Sequence, residues 1–271
     1  MPIFYANKVM YPFVLEVRYF NQINGLLKSL FVKDIKDGLI EEIKNSYNQA
    51  IRKDDFTEDF NNFFRLAELK ITLKLRSFIN RIVKTSIEVN NFNDKAVRQS
   101  LRSTPFKNLA ISTTPDIRNA MEMFVSDNVR LIKSISEDLL GRVQEVVFAN
   151  VRRGSSYTTL AQELQKTFTI SEKRARLIAK DQINKLNADL TRQRHKELGI
   201  TDYKWSTSQD ERVRKSHEVL QGKICTYDNV NVYKDEESLK KWTQRSEIGA
   251  ALYHPGQEIL CRCTAIAIIK L

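Results

Sequence analysis

Helix breakers are scarce in this chain. Eight glycines and five prolines in 271 residues is roughly half the usual share. That scarcity disfavours Gly-rich β-sandwiches, collagen-like repeats and long flexible linkers, and leaves long helices as the natural outcome. The apolar pattern agrees. Leu15, Tyr19, Ile23, Leu26, Leu27, Leu30 and Phe31 recur at three- and four-residue spacing, the period of one helical face, and predict a helix over 13–46. A second run, 56–89, puts Phe60, Phe63, Phe64, Leu66, Ile71, Leu75, Phe78 and Ile82 on an apolar face before the polar segment 90–93 interrupts it. These faces suit either oligomeric contacts or an intramolecular bundle. Thr114, Pro115 and Asp116 then form a helix start: a capping hydroxyl, a proline at the first helical position and an acid in the first turn. The helix they open runs to about Arg153 and stops at Gly154. At 1.5 Å per residue it is about 55 Å long, a length that suits an assembly or a tether unless it breaks near Gly141.

After Gly154 the texture changes. A helix over 157–168 is capped by Ser155 or Ser156, and another over 171–198 is closed by Gly199. Residues 203–207 read as a strand, 211–220 as a short helix, 223–255 as loop-rich and 263–269 as a hydrophobic final strand. The expected fold class is α+β, with a long-helical N-terminal half (1–154) and a smaller α+β C-terminal domain (155–271).

Lys and Arg number 44 and Asp and Glu 33, a formal charge of +11. Such an excess suits contact with nucleic acid or an acidic protein surface. Residues 172–196 alone hold eight basic and three acidic side chains. Arg174, Arg176, Lys180 and Arg192 on that helix, with Arg152 and Arg153 nearby, are the candidates for an acidic partner. DNA contact through them would be phosphate-based and salt-dependent; a solvated helical face is the plainer alternative. No stretch approaches about 18 consecutive apolar residues, which excludes a membrane-spanning helix and makes no membrane partner expected. Residues 1–17 do not read as a signal peptide.

One ordered set of residues stands above background. A helix carrying Ala179, Asp181, Asn184 and Arg192 leads through Gly199 to Trp205. There follows Asp210-x-Arg212-x-Arg214-x-x-His217-x-x-Leu220-x-Gly222, and the set closes with His254-Pro255-Gly256 and Cys261-Arg262-Cys263. This resembles the C-terminal domain of the Mu F-like minor head proteins of tailed bacteriophages, over residues 155–271. One departure is the stretch Glu258-Ile259-Leu260, where the family's loop is often richer in proline and asparagine. The resemblance implies a minor capsid protein of head morphogenesis, present in few copies in the virion head near the portal vertex and assembled in the host cytoplasm. Implied partners are the portal protein, the major capsid protein or scaffold, and packaged double-stranded DNA, with a role in DNA packaging or delivery.

The same residues also have a chemistry of their own. Helical spacing would put Asp210, Arg214 and His217 on one face, as a structural staple or as an anion-binding or acid–base cluster; no nucleophile of known type sits beside them, which favours the staple. Cys261 and Cys263, two apart on a strand, point to one side. Three cysteines clustered late in the chain suggest reduced thiols or a metal site rather than a disulfide framework. The readings are buried small thiols with Arg262 as a staple, a zinc site completed from His217, His254 or Cys225, or an oxidative cross-link to Cys225. The C-x-C spacing alone favours the first. Walker, H-E-x-x-H, G-x-S-x-G and G-x-G-x-x-G signatures are missing, against the enzymes they mark. The expectation is thus a non-enzymatic protein without cofactor. Its rivals are a DNA-binding protein injected with the genome and an enzyme of phosphodiester- or ribosyl-directed chemistry built on Asp210, Arg212, Arg214 and His217.

Overall fold

The computed structural model describes residues 2–36, 38, 53–108, 112–153, 155–235 and 241–270. The elements in chain order are β1 (Ile3–Tyr5), α1 (Phe13–Lys28) running into a π-helical stretch (Ser29–Lys36), α2 (Lys53–Ser100), α3 (Pro115–Arg153), α4 (Tyr157–Glu197), β2 (Asp202–Ser206), α5 (Lys215–Glu218), β3 (Ile224–Thr226), β4 (Val232–Lys234), β5 (Thr243–Gln244) and β6 (Thr264–Lys270). The α+β class stands, with long helices first and a small antiparallel sheet late in the chain. No helix among the described residues is long and apolar enough to cross a membrane. The residues fall into two compact units: 1–16, 85–124 and 180–271 in one, 17–84 and 125–179 in the other. Each unit thus draws on both sides of the sequential division at 154/155.

The helices are longer and fewer than the periodicity suggested. α2 runs unbroken through 90–93, because half-buried Asn90 and buried Asn93 serve as hydrogen-bonding groups for Arg194 rather than as a helix stop. α4 is one helix where two were expected; Thr169 and Ser171 turn their hydroxyls back onto the carbonyls of Gln165 and Thr167 four residues earlier, instead of capping a new start. α3 matches its predicted bounds and is unbroken at Gly141. Its cap is as expected, the Thr114 hydroxyl accepting from the Ile117 N–H at 3.4 Å, and at the start of α4 the Ser156 hydroxyl accepts from the Thr159 N–H at 3.3 Å. The continuation of the first helix to Ser46 and the stop at Gly154 lie outside the described residues.

The helical unit buries Ile23, Leu27, Leu30, Phe60, Ile71, Phe78, Ile82, Ile135, Leu139 and Val143. Phe31 stacks on Phe168 at 5.1 Å between ring centres, and Tyr19 donates to Asn128 at 2.7 Å. Leu66, expected on the apolar face, is instead 54% exposed, in a stripe with Leu69 and Leu73.

The other unit is organised by a six-stranded sheet of order β1-β6-β2-β3-β4-β5. β6 lies between β1 and β2, antiparallel to both, with Tyr5 opposite Ile268 and Trp205 opposite Ala265. The stretch expected to be loop-rich supplies β3, β4 and β5; strands of two or three residues are too short to show an alternation. Gly199, at φ +71°, closes α4: its N–H bonds the Lys196 carbonyl while the Ile200 N–H reaches that of His195, turning the chain directly into β2.

α4 is tied down by polar groups along one side. Asn93 donates to the Asn187 carbonyl, to Asn187 Oδ1 and to Thr191 Oγ1 at 2.8–3.0 Å. Arg194, 2% exposed, donates to Asn93 Oδ1 at 2.6 Å and Asn90 Oδ1 at 2.7 Å, with Asp94 3.8 Å away. These bonds offset the cost of burying the guanidinium, although its Nε is left without a hydrogen-bond partner.

His195 is fully buried, its Nδ1 2.9 Å from the Tyr227 hydroxyl, and burial pushes its pKa down from 6.5 to about 4. The unfolded chain therefore takes up this proton at higher pH than the folded one. The contribution to stability is present above pH 6.5 and is lost as pH falls towards 4, by up to roughly 3 kcal/mol at 1.36 kcal/mol per pKa unit. Urea denaturation of the wild type and His195→Gln, between about pH 7.5 and about pH 4, checks this. The wild type is expected to lose stability more steeply than the variant over that range; parallel profiles would refute the assignment.

Candidate functional site

The site begins with α4 and the loop it holds. The Asp181 carboxylate accepts from the Leu260 N–H at 2.7 Å, Asn184 Nδ2 donates to the Cys261 carbonyl, and Ala188 underlies Gly256. Spaced three and four apart, these residues form one face of the helix. They place a loop in which Gly256 has φ +86° and Leu260 has φ +57°, both in the left-handed region. A Cβ at Gly256 would lie 2.4 Å from Ala188 Cβ. The His254-Pro255-Gly256 motif is thus a point of close approach between loop and helix.

The loop delivers Cys261 and Cys263 to His217. Each Sγ is 3.5 Å from His217 Nδ1, and the three ligating atoms lie within 4.8 Å of one another. All three residues are buried. β6 starts only at Thr264, so the thiols are not on a strand as expected, although both face the same ring nitrogen. The opposite nitrogen, Nε2, is hydrogen-bonded to the Glu258 carboxylate. Cys261 Sγ also accepts from the backbone N–H of Gly256 at 3.4 Å and of Cys263 at 3.5 Å. Hydrogen bonds from Cys263, His217 and these backbone groups pull the Cys261 thiol well below its usual range, against the effect of burial. Cys263 is pushed up by its hydrogen bond to Cys261 and by burial. Burial acts against the charged form of His217, but its bonds to Cys261 and Glu258 outweigh it and its pKa is raised.

Asp210 is not on a helix with Arg214 and His217. It sits in the turn after Gln209 (φ +55°), where its side chain accepts from the Arg212 N–H at 3.1 Å. Arg262 donates to both of its carboxylate oxygens, one at 2.6 Å, and holds the carboxyl down at about 2. Arg262 is thus the staple, with Asp210 as its partner. α5 spans only Lys215–Glu218, with Arg214 as its N-cap. From there Arg214 donates to the Ile259 carbonyl at 2.7 Å and lies 3.5 Å from Glu258, while the Arg212 side chain is exposed. Gly222, at φ +78°, turns the chain back, its N–H bonding the Trp205 carbonyl at 2.9 Å. Trp205 is fully buried, 5.7 Å edge-on from His217.

His254 and Cys225 do not join the cluster. His254 Nδ1 is 3.1 Å from the Tyr203 hydroxyl, and burial with the charges of Arg192, Arg245 and Lys196 takes its pKa to about 4. Cys225 is buried in the sheet core, where burial pushes its thiol up to about 11. Beside them lies the residue that sequence reasoning missed. Arg245 is fully buried and donates to the carbonyls of Val232, Ala251 and Tyr253 and to the Tyr203 hydroxyl, at 2.9–3.2 Å. No sequence pattern marks it. Glu258 was visible only as a departure in the loop.

The six basic candidates do not form one cluster. Lys180 and Arg192, with Lys8, line a cavity of about 560 Å³ in the sheet unit, whose wall also includes Tyr11, His254, Arg262 and Cys263; Arg192 pairs with Asp189 at 2.9 Å. Arg152, Arg153, Arg174 and Arg176 belong to the helical unit. There Arg174 pairs with Asp138 and donates to Ser134 at 2.7 Å, Arg176 lies over the Phe20 ring at 4.0 Å, and Arg153 is 4.0 Å from Glu163.

Residues 141–266 match the family model described as Phage Mu protein F like protein. The match bears out the bacteriophage family that the motif set resembles and its place late in the chain. An uncharacterized protein of Haemophilus influenzae strain Rd is 37% identical over 159 residues, which is 59% of this chain and 32% of the relative. The matched stretch thus spans about a third of that relative's length. No solved structure matches.

Gly256→Ala adds a methyl group against Ala188 and forces a side chain into left-handed backbone, an expected cost of roughly 2–4 kcal/mol. Adding Ala188→Gly relieves the collision and recovers part of the loss, though not the backbone strain. Urea midpoints of the single and double variants test this; a Gly256→Ala protein as stable as the wild type would show that the loop does not sit on α4. Arg245→Met leaves three backbone carbonyls without their donor and is expected to destabilise by about 3–5 kcal/mol, read in the same experiment.

Proposed function

We propose that the chain is a minor head protein of a tailed bacteriophage, acting in head morphogenesis at or near the portal vertex. The match of residues 141–266 to the Mu F-like family carries this reading. The family speaks for a bacteriophage protein of head morphogenesis; attachment to the portal, contact with packaged DNA and a role in packaging or delivery are our extension of it.

The mechanism is scaffolding rather than catalysis. The motif residues hold the sheet unit together: Arg262 on Asp210, Arg214 on the 258–259 backbone and carboxylate, Trp205 against His217. Such a unit presents a fixed surface to a partner. The formal charge of +11 suits an acidic protein surface or DNA, with Arg152, Arg153, Arg174, Arg176, Lys180 and Arg192 as contributors. Most of these already have intramolecular partners, but exposed ion pairs are weak and exchange readily for phosphate. DNA contact of this kind weakens steeply with salt. The exposed Leu66, Leu69 and Leu73 stripe favours oligomeric packing in the particle.

Quantitative mass spectrometry of purified particles, counting this chain against the portal and the major capsid protein, tests the reading. A low, reproducible ratio close to that of the portal is expected. Complete absence from particles at every stage of assembly would overturn it.

A further inference from the structure

We propose that His217, Cys261 and Cys263 form a zinc site that clips α5 to the loop preceding β6. Two thiolates and one imidazole are the donors that select zinc over hard cations. Zn–S bonds of about 2.3 Å and Zn–N bonds of about 2.05 Å at tetrahedral angles give a sulfur-to-nitrogen edge of about 3.6 Å. The two Sγ–Nδ1 separations are 3.5 Å each. Both sulfur-to-nitrogen separations thus match the edges of such a tetrahedron, and all three donors lie within 4.8 Å of one another.

The surroundings are those of a metal site as well. A zinc-bound imidazole characteristically gives its other ring nitrogen to a carboxylate, which fixes tautomer and orientation; His217 Nε2 is bound to Glu258. A coordinated thiolate needs donors, and Cys261 Sγ receives backbone N–H groups from Gly256 and Cys263. The loop that provides them is held on α4 by Asp181 and Asn184. Zinc takes both cysteines as thiolates and His217 as a neutral imidazole, so the protons these three groups still hold leave on metal entry and the complex with one Zn²⁺ is neutral. Among the described residues no other histidine, cysteine or carboxylate joins the cluster, so the fourth position falls to water or an exogenous ligand. Of the three donors, Cys263 is also in the wall of the cavity of about 560 Å³.

The experiment uses the full chain, expressed with added zinc and purified without chelator or histidine tag. Elemental analysis is expected to find about one zinc per chain after gel filtration, unchanged in Cys225→Ser and lost in Cys261→Ser and Cys263→Ser. Because those two variants can fail to fold, wild-type protein is also stripped with chelator and reconstituted with Co²⁺. The visible bands of tetrahedral cobalt and thiolate-to-cobalt charge transfer are expected, and the stripped protein melts at lower temperature than the zinc form. A folded wild-type protein with less than about a tenth of a zinc per chain and no cobalt bands overturns the proposal. So does an intact mass two hydrogens short with a mapped Cys261–Cys263 disulfide. Particle composition is not read in any of these measurements, so the site and the head-protein reading stand or fall separately.

Discussion

The grip of α4 on the loop before β6 is the constraint on which the rest of the sheet unit depends. Asp181, Asn184 and Ala188 lie along one face of the helix and meet, in turn, the Leu260 N–H, the Cys261 carbonyl and Gly256. Without these contacts the left-handed backbone at Leu260 has no reason to persist, since it costs about 1 kcal/mol or more when not enforced. With them, the chain enters β6 with both thiols turned to His217 and with Arg262 over Asp210. Another side of the same helix carries Asn187, Thr191 and Arg194, bound to Asn90 and Asn93 of α2. One helix therefore fixes the site loop and anchors itself, through different residues of the same few turns.

How much of this is legible in the sequence follows from the range of the interactions. Local rules succeeded where the cause is local: the Thr114-Pro115-Asp116 start of α3, the Gly199 closure of α4 and the strand around Trp205 are set by neighbouring residues. They failed where a residue's partner lies far along the chain. Asn90 and Asn93 look like a helix stop because their hydrogen bonds to residues 94 to 104 positions away cannot be seen locally. Ser171 looks like a cap because a back-bonding serine and a capping serine are the same letter. β1 is three residues long and pairs with a strand more than 260 residues later.

The candidate site divides in the same way. The motif set contained His217, Cys261 and Cys263, but it could not separate them from Cys225 and His254, which sit in the same region of sequence. Three-dimensional placement does. Cys225 ends in an apolar core beside Tyr203 and Tyr227, and His254 is taken by the Tyr203 hydroxyl. Asp210 was assigned to a helix face because its spacing to Arg214 and His217 fits one. The left-handed Gln209 and the Asx turn onto Arg212 instead place it opposite Arg262. The residue types at the site were readable, whereas their pairing depended on backbone geometry that helical spacing does not encode.

The polar groups buried in this unit argue for specificity more than for stability. Arg245 and Arg194 are buried and hydrogen-bonded, although Arg194 Nε itself has no hydrogen-bond partner, and replacing such a network by apolar side chains of equal volume is often neutral or stabilising. What a partly satisfied network does not tolerate is a shifted register, because every misplaced carbonyl or guanidinium is then left dry. Arg245 ties the carbonyls of Val232, Ala251 and Tyr253 into one arrangement, and the Arg194 cluster does the same for α2 against α4. The elements so fixed extend beyond residues 141–266: β1 covers the outer edge of β6, and the end of α2 with Ala96, Val97 and Leu101 packs on Ile200 and Ile269. A fragment cut to the family match would lose that apolar cover and both asparagines that satisfy Arg194. The folding unit that presents the site is therefore assembled from three separate stretches of chain, and the N-terminal segments belong to it as much as the motifs do.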